Sequence, residues 1–311
     1  MRWVTYRTDT GERAGMVVGD TIHGLPADTS VLGLLGDDGT RLAEAARRAT
    51  EEPAETVAFD DADLAPPLRP PQVRDYLTFL DHLRNARGGP DTELEPVWHR
   101  APIFYFTNAL AITGPHDPVP ISPGCEWWDY ELEVAAVVGR ELHNATPEEA
   151  ADAIAGFTIL CDWSARDLQF EEMAGMLGPA KGKDGATSLG PMLVTADELE
   201  PYASGTSYHL EMTGYVNDEL ISHGWMDQMD WSWADMISYA SRGTRIVPGE
   251  VIGSGTVPTG CLVEHVATQG EDFRGWLSPG DVVRLEVEQL GTIRQEVAPP
   301  LPLHPLGRDR T

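Results

Sequence analysis

One stretch of the chain, residues 127–139, constrains the fold more than any other. Its sequence is WWDYELEVAAVVG, and in a β-strand alternate side chains point to opposite faces of the sheet. One face is then purely apolar and belongs in a core: Leu132, Val134, Ala136 and Val138. The other face carries Glu131 and Glu133, whose Cα atoms lie about 6.5 Å apart at the usual strand rise. The stretch therefore predicts a strand that places two acids side by side.

Two acids at neighbouring positions on one face have two interpretations. Their oxygens can close on one hard cation, which binds oxygen ligands at about 2.0–2.6 Å. Without a cation the two carboxylates repel and raise one another's pKa. The commoner meaning of the pattern is an edge strand with a solvated acidic face, and the spacing alone leaves both interpretations open.

The composition limits the class of partner. The chain has 311 residues, of which 41% are hydrophobic and 23% charged, as expected for a soluble globular protein with one or two domains. Its 22 basic and 50 acidic residues give a formal net charge of −28. This charge argues against binding to nucleic acid or to anionic membrane surfaces. An anionic substrate would need a locally positive pocket or a bound cation.

Cysteine usage and the chain start indicate a cytoplasmic protein. Cys125, Cys161 and Cys261 include no C-x-x-C pair, which argues against a disulfide framework and a zinc knuckle. The first residues lack the apolar core of a signal peptide, and no run approaches the ~20 apolar residues of a membrane span.

The element pattern predicts a strand-dominated α+β fold with a small N-terminal α/β module. Residues 2–25 are typical of a β-meander. The proline-rich segment 66–71 predicts a boundary between a module of residues 1–70 and a larger domain of residues 71–311. Regular βαβ alternation and a G-x-G-x-x-G fingerprint are both missing, which argues against a barrel or a dinucleotide fold.

Two later segments carry candidate polar residues. Residues 75–87 are predicted as a helix on which Asp75 and His82, seven residues apart, share a face. Asp162 ends a predicted strand and is followed at once by a helix that presents Arg166 and Gln169 on one face. These three residues form either a convergent polar site or a helix cap with a local salt bridge, and the residues alone favour neither.

Five blocks of sequence together resemble the fumarylacetoacetate hydrolase family. They occur in the family's order, and the resemblance covers roughly residues 72–297: residues 128–133, 162–169, 181–191, 240–244 and 253–256. The resemblance implies the family's mixed β-sheet roll. It also implies a homodimer.

The resemblance assigns a role to each candidate site residue. The ligands of a divalent cation would be Glu131, Glu133 and Asp162, with Asp75 as a fourth acid in some members. The catalytic residues would be His82, with Glu264 as its partner, together with Lys183, Arg166 and Gln169. The substrate contacts would be Tyr105, Gly255 and Thr256. The cation expected first is Mg²⁺, with Mn²⁺ or Ca²⁺ as alternatives.

The implied reaction is the hydrolysis of a carbon–carbon bond in a small anionic β-diketo acid of the acylpyruvate or fumarylacetoacetate type. His82 would be the general base for a water molecule, and the cation would stabilise the enolate that leaves. The same site also suits decarboxylation, isomerisation or hydration of related acids, and fold alone does not decide between them. A third alternative is a non-catalytic module that binds a cation or a metabolite.

Overall fold

Strands outnumber helices throughout residues 1–307, the part of the chain that the computed structural model describes. Residues 308–311, at the end of the second predicted domain, lie outside the described residues. The helices are α1 (Thr40–Glu51), α2 (Leu80–Ala86), α3 (Pro147–Ala151), α4 (Arg166–Ala174), α5 (Ala196–Leu199), α6 (Trp233–Ser241) and α7 (Leu262–Gln269). Short 3-10 turns cover Leu32–Leu34, Phe59–Asp61, Pro96–His99, Glu200–Tyr202, Met226–Gln228 and Gly270–Asp272.

The strands form one large mixed sheet, one smaller sheet and three two-stranded ribbons. The first strands in the chain are β1 (Arg2–Thr8), β2 (Gly11–Val18), β3 (Thr21–Gly24), β4 (Glu55–Ala58), β5 (Leu64–Ala65), β6 (Val73–Tyr76), β7 (Phe104–Thr107), β8 (Ile112–Thr113), β9 (Val119–Pro120), β10 (Trp128–Asp129), β11 (Leu132–Val138) and β12 (Leu142–His143). The later strands are β13 (Ile154–Asp162), β14 (Ser164–Ala165), β15 (Thr187–Thr195), β16 (Ala203–Ser204), β17 (Ser207–Tyr208), β18 (Glu211–Val216), β19 (Glu219–Trp225), β20 (Arg245–Ile246), β21 (Val251–Gly253), β22 (Val282–Val287) and β23 (Gly291–Ala298). The predicted strand-dominated α+β class is confirmed.

The large sheet sets the position of every element near the site. Its strand order is β4-β3-β2-β1-β15-β13-β11-β21-β6-β7, with β5 added on β1 and β8 on β15. Most neighbours are antiparallel, but β21 and β6 are parallel. Since β1 pairs with β15, the strands of the predicted N-terminal module belong to the same sheet as the rest. The division into two domains at residue 70 stays a prediction.

Strand β11 lies between two apolar cores. The predicted apolar face, which includes Leu132 and Val134, packs in the larger core with residues of the five-stranded sheet β19-β18-β22-β23-β9. The opposite face, which includes Ala135 and Val137, packs in a second core with residues of α1 such as Leu42. Because both faces are covered, the acids that share the second face cannot be solvated as an edge strand would allow.

The predicted helix over residues 75–87 is wrong in its first half. Residues Val73–Tyr76 form strand β6, which pairs with β21 on one side and β7 on the other, and helix α2 begins only at Leu80. The apolar spacing of this segment suits a helix, but the backbone of β6 is bound by two neighbouring strands instead. Asp75 and His82 therefore do not share a helical face.

Strand β15 was not predicted, although it is central to the sheet. It contains Pro191, and proline is unusual within a strand because it cannot donate a ladder hydrogen bond. In the structure the pairing of β13 with β15 shifts register between Phe157 and Ile159, opposite this segment. The proline therefore lies at an irregularity where the ladder is already interrupted. Among residues 1–307, no helix is both long and apolar enough to cross a membrane.

Candidate metal centre and active site

Four buried carboxylates lie close together at one edge of the second core. Asp75 lies on β6, Glu133 on β11, Asp162 at the end of β13, and Glu131 just before β11. These four residues, called the acid cluster below, are each at most 5% exposed. Carboxylate oxygens of Asp75, Glu131 and Glu133 all lie within 4.8 Å of one another, a separation that suits one cation. Asp162 is connected to this group through shared hydrogen-bond partners.

The absence of a side chain at Gly253 lets Asp75 and Glu133 approach each other. Gly253 lies on β21, between the strands that carry the two acids, and pairs with Asp75 in the ladder. A Cβ atom at this position would stand 2.5 Å from Asp75 Oδ1 and 3.2 Å from Glu133 Oε2. The glycine therefore provides the space in which the two carboxylates can reach a common ligand.

Two carboxylate oxygens in the acid cluster are buried without a partner. Asp75 Oδ1 and Asp162 Oδ1 accept no hydrogen bond from any residue in the described range 1–307. A buried acceptor without a partner destabilises a protein by about 1–3 kcal/mol. Oxygen donors of this kind are what Mg²⁺, Mn²⁺ or Ca²⁺ bind. The donor set therefore fits a hard divalent cation held by Asp75, Glu131 and Glu133, with Asp162 beside them.

Two buried cations balance part of the negative charge. Lys183 Nζ lies 2.5 Å from Glu131 Oε2 and 2.6 Å from Asp162 Oδ2. Arg166 Nη2 lies 2.8 Å from Glu131 Oε1 and 2.8 Å from Asp129 Oδ2. Gln169 Oε1 accepts a hydrogen bond from Arg166 Nη1 at 3.2 Å. Asp162 and Arg166 are thus connected through Lys183 and Glu131, and a binding site at these residues stays a prediction.

The environment separates the pKa values of the four acids. Burial and repulsion between carboxylates raise the pKa of Asp75, Glu133 and Asp162, and for the last two the pKa lies well above the ordinary value. For Glu131 burial acts in the same direction, but Lys183 and Arg166 outweigh it and lower the pKa. A divalent cation would favour the ionised form of all four acids.

The three predicted substrate contacts also hold the acid cluster in place. Tyr105, on β7, donates its hydroxyl hydrogen bond to Asp75 Oδ2 at 2.9 Å or to Asp162 Oδ2. The backbone amide of Gly255 donates to Glu133 Oε2 at 3.0 Å, and Thr256 Oγ1 lies 3.5 Å from Glu133 Oε1. Gly255 has a φ of +78°, and a Cβ there would stand 2.3 Å from the carbonyl oxygen of Tyr76. Only glycine fits at this position.

His82 and Glu264, called the catalytic pair below, are in direct contact although 182 residues separate them in the chain. His82 Nδ1 lies 2.8 Å from Glu264 Oε1, and the two side chains are 7% and 2% exposed. Glu264 Oε2 accepts further hydrogen bonds from Asn85 Nδ2 and from the backbone amide of Thr259, each at 2.9 Å. Helix α2 packs against α7, which is what brings the pair together.

A fully bonded carboxylate fixes the orientation of the imidazole ring. Glu264 accepts from Nδ1–H, so the neutral ring carries its lone pair on Nε2. The nitrogen that can accept a proton is therefore the one that does not face Glu264.

Most of the predicted site residues line one cavity of about 330 Å³. The predicted residues that line it are His82, Tyr105, Glu131, Glu133, Arg166, Gln169, Lys183, Gly255 and Thr256. Asp75, Asp162 and Glu264 lie behind these residues and contact them. The structure thus brings the whole predicted set together around a single space.

Three residues that the sequence reasoning missed support this arrangement. Asp129 Oδ2 accepts from Arg166 Nε at 2.8 Å, and its Oδ1 accepts from the backbone amide of Leu262 at the start of α7. Asn85 holds Glu264, and its position three residues after His82 on α2 could have indicated a shared face. Cys261 Sγ lies 3.5 Å from Glu264 Oε1, and no local pattern pointed to it.

Comparison with known proteins gives a family and a fold. The model of the fumarylacetoacetate (FAA) hydrolase C-terminal family matches residues 72–298. A relative from Homo sapiens, "Oxaloacetate tautomerase FAHD2A, mitochondrial", is 31% identical over 235 residues, which are 75% of this chain and 68% of the relative. The cytoplasmic location and the homodimer expected for this chain stay predictions.

Two solved structures share the fold. The fumarylacetoacetate hydrolase of Exiguobacterium antarcticum matches with a TM-score of 0.73 and 24% identity, over 96% of this chain and 99% of that one. The maleylpyruvate hydrolase of Sphingobium sp. SYK-6, in complex with manganese(II) and pyruvate, matches with a TM-score of 0.68 and 24% identity, over 97% of this chain and 100% of that one. At these identities the two structures establish the fold alone.

Proposed function

The chain belongs to the fumarylacetoacetate hydrolase family of enzymes, and from this premise we propose that it is a divalent-metal-dependent hydrolase of acylpyruvates with an apolar acyl group. The observation that carries the proposal is the buried catalytic pair, His82 and Glu264, next to the acid cluster on one cavity. Hydrolysis needs a base for water, and this pair supplies one. The products would be pyruvate and the carboxylate of the acyl group.

The acid cluster would hold the cation. Asp75, Glu131 and Glu133 are the proposed ligands, with Asp162 as the fourth acid of the site. Mg²⁺ is the cation we expect first, with Mn²⁺ and Ca²⁺ as alternatives. A bound divalent cation would draw electron density from the substrate's two oxygens and so stabilise the negative charge of the departing enolate.

His82 would take a proton from the attacking water molecule. Its Nε2 is free to accept because Glu264 occupies Nδ1, and the imidazolium that results is stabilised by the same carboxylate. The proton is then available for the carbon atom of the pyruvate enolate, which closes the cycle. Asn85 and the amide of Thr259 keep Glu264 from turning away during this exchange.

Lys183, Arg166 and Gln169 would bind the negative charges of the substrate. All three line the cavity, and the two cations are nearly fully buried. Preorganised donors of this kind stabilise developing charge at little cost in reorganisation. They also explain how a chain with a formal net charge of −28 can hold an anion.

The apolar part of the cavity lining favours an apolar acyl group. It includes Leu83, Trp98, Ile103, Phe104, Phe170 and Met173. Arg87 also lines the cavity, and it is already paired with Glu95 at 2.7 Å. A dicarboxylate such as oxaloacetate would leave this apolar surface uncovered, whereas the chain of an acylpyruvate would bury it.

The second candidate is a tautomerase that moves a proton between the keto and enol forms of oxaloacetate. It is favoured by the 31% identity to a relative that bears this activity in its name. Tautomerisation still needs a base that takes the C–H proton beside the carbonyl, but it needs no base that activates water. The two candidates share the acid cluster and differ in what they require of His82.

One set of assays separates the candidates. The protein is assayed with a series of acylpyruvates and with enolic oxaloacetate, each with Mg²⁺ and each with EDTA. The proposal expects acylpyruvate hydrolysis that EDTA abolishes and that His82→Ala lowers by at least 100-fold. His143→Ala, a change at an exposed histidine outside the cavity, is the matched control and should retain full activity.

Three outcomes would contradict the proposal. Hydrolysis that continues in EDTA would remove the cation from the reaction. Oxaloacetate tautomerisation that survives His82→Ala, together with no acylpyruvate turnover, would establish the second candidate instead. Tight binding of pyruvate or oxalate without any turnover would indicate a non-catalytic module.

A further inference from the structure

A second group of metal-binding side chains lies beside the acid cluster. Single ligand atoms of Cys261, His82 and Glu131 all lie within 4.8 Å of one another, and all three residues are buried. Glu264 adds a carboxylate oxygen 3.5 Å from Cys261 Sγ. The reaction proposed above uses the imidazole and the acids of this group but has no role for the thiol.

The donor types of this group differ from those of the acid cluster. A thiolate and an imidazole are ligands that Zn²⁺ and Co²⁺ prefer, whereas Mg²⁺ and Ca²⁺ prefer oxygen. Around tetrahedral zinc, with Zn–S about 2.3 Å and Zn–N about 2.0–2.1 Å, sulfur and nitrogen stand about 3.5 Å apart. Cys261 Sγ lies 3.9 Å from His82 Nδ1, so a side-chain adjustment of a few tenths of an ångström closes this distance.

The setting of Cys261 differs from that of the other cysteines. A buried cysteine is usually a small apolar core residue, and Cys161 fits that description, since it packs in the larger apolar core. Cys125 is only half-buried and lies outside both metal-binding groups found in residues 1–307. Cys261 instead contacts both members of the catalytic pair.

We propose that Cys261, His82 and Glu131 form a second site that binds Zn²⁺ or a similar thiophilic divalent cation. On binding, the thiol proton is released to solvent and the ring proton of His82 moves from Nδ1 to Nε2 by exchange with solvent. The lone pairs of Cys261 Sγ and His82 Nδ1 then bond to the cation, with no change of oxidation state. We call this the thiol site. Because it shares Glu131 with the acid cluster, the two sites compete.

Occupation of the thiol site stops the chemistry of the catalytic pair. When an imidazole nitrogen of His82 binds a cation, the ring either loses its hydrogen bond with Glu264 or can no longer accept a proton from water. Zn²⁺ is therefore an inhibitor of the enzyme rather than its cofactor. The inhibition rests on the proposed function, whereas the binding of the cation does not.

Absorption spectroscopy with Co²⁺ alone tests the binding without any substrate. Thiolate bound to Co²⁺ gives an intense near-ultraviolet charge-transfer band, which Co²⁺ held only by carboxylates does not give. The metal-free protein is titrated with Co²⁺, and Zn²⁺ is then added to displace it. We expect the band to appear with one equivalent of thiolate-bound Co²⁺ and to disappear with Zn²⁺.

Cysteine variants identify the thiolate. Cys261→Ser should abolish the band, whereas the double variant Cys125→Ser, Cys161→Ser should keep it, since Cys261 is then the remaining thiol. The double variant leaves Cys261 untouched, so it decides the assignment even if Cys261→Ser fails to fold. His82→Ala should weaken Co²⁺ binding at least tenfold while a weaker band remains at high Co²⁺.

Several results would overturn the thiol site. These are the absence of a charge-transfer band in the unchanged protein, its loss in the double variant, or its persistence in Cys261→Ser. An unchanged Co²⁺ affinity in His82→Ala would remove the imidazole from the site. If the band behaves as expected but acylpyruvates are not hydrolysed, the thiol site stands and the proposed function fails.

Inhibition is measured only after binding is established. Each variant is compared with its own activity without zinc, at fixed Mg²⁺. The Zn²⁺ concentration for half inhibition should rise at least tenfold in Cys261→Ser and change less than twofold in Cys161→Ser. Equal sensitivity of the two variants would mean that Zn²⁺ inhibits at the acid cluster instead.

Discussion

Replacing Gly253 by alanine should weaken divalent-cation binding without touching any carboxylate. The new Cβ would lie 2.5 Å from Asp75 Oδ1, about 0.9 Å inside the 3.4 Å at which ordinary van der Waals contact begins. The backbone of Gly253 is fixed in the ladder between β11 and β6, so the Asp75 carboxylate has to move. Glu133 Oε2, at 3.2 Å from the same Cβ, moves by only a few tenths of an ångström.

The size of the effect follows from the tolerance of metal coordination. Ligand distances in working sites stay within about 0.2 Å of their ideal values, so a displacement of about 0.9 Å removes Asp75 from the coordination shell. Perturbing the support of a metal ligand lowers affinity by about 10–100-fold, which is about 1.4–2.7 kcal/mol. We expect the Mn²⁺ dissociation constant of Gly253→Ala to rise within that range.

Calorimetric titration with Mn²⁺ measures this change, and a double-mutant cycle attributes it to Asp75. In Asp75→Ala the Oδ1 atom is gone, so the extra Cβ of Gly253→Ala has space. In the Asp75→Ala background, Gly253→Ala should therefore raise the Mn²⁺ dissociation constant less than threefold. The two substitutions act through the same carboxylate, so their effects are not additive. A thermal melt of each variant confirms that the fold is intact.

Two results would refute this reasoning. If the Mn²⁺ dissociation constant of Gly253→Ala is within twofold of that of the unchanged protein, either Asp75 is not a ligand or the backbone of the sheet shifts to make room for the new Cβ. If the loss is equally large in the Asp75→Ala background, the new methyl group acts through something other than Asp75.

Three further predictions test the pocket, the catalytic pair and the acid cluster. Within a series of linear acylpyruvates, kcat/KM should rise about fourfold per added methylene until the apolar part of the cavity is full, since each buried CH₂ contributes about 0.8 kcal/mol. A kcat/KM that does not change with chain length would contradict binding of the acyl group against the apolar lining. Asn85→Leu removes the hydrogen bond from Asn85 Nδ2 to Glu264. It should lower kcat by about tenfold or more with KM nearly unchanged, because a hydrogen bond to a charged group is worth about 1.5–3 kcal/mol. An unchanged kcat would mean that Glu264 does not need this hydrogen bond to orient His82. Glu133 and Asp162 have a higher pKa in the folded than in the unfolded chain. Their contribution to the free energy of unfolding is therefore fully present below the unfolded pKa of about 4, and it is lost as the pH rises through the folded pKa values. The melting temperature in EDTA should therefore fall as the pH is raised from 4.5 to 8 and recover with saturating Mn²⁺, and a rise with pH in EDTA would show that these carboxyls are not the controlling groups.

Local sequence was sufficient where one element carries the information. The alternation around Glu131 and Glu133 predicted a strand with an apolar face, and β11 confirms both the strand and the buried face. The strand that ends at Asp162 is likewise a local feature, and β13 ends there, although the short strand β14 comes before α4 begins at Arg166. The chemistry of these acids still depended on their neighbours, since the same spacing on an edge strand would have been solvated.

Local sequence failed where distant strands decide the conformation. The segment around Asp75 has the apolar spacing of a helix, yet β6 forms because β21 and β7 bind its backbone on both sides. A parallel pairing between residues near 75 and residues near 253 leaves no periodic signal in either segment. For the same reason the contact of His82 with Glu264 could be expected from the family resemblance alone.

The buried charges connect the fold with the order of binding. Five buried carboxylates surround two buried cations, Lys183 and Arg166: Asp75, Asp129, Glu131, Glu133 and Asp162. If all were ionised, the formal charge would be about −3, which would repel a keto acid. Burial first, and repulsion between the carboxylates second, raise the pKa of Asp75, Glu133 and Asp162. A divalent cation held by these acids would displace their protons, bring the formal charge to about −1 and supply positive charge for the substrate's oxygens. The cation should therefore bind first and the keto acid second. The oxalate dissociation constant should be much larger in EDTA than with Mn²⁺, whereas an oxalate site independent of the cation would change it by less than twofold.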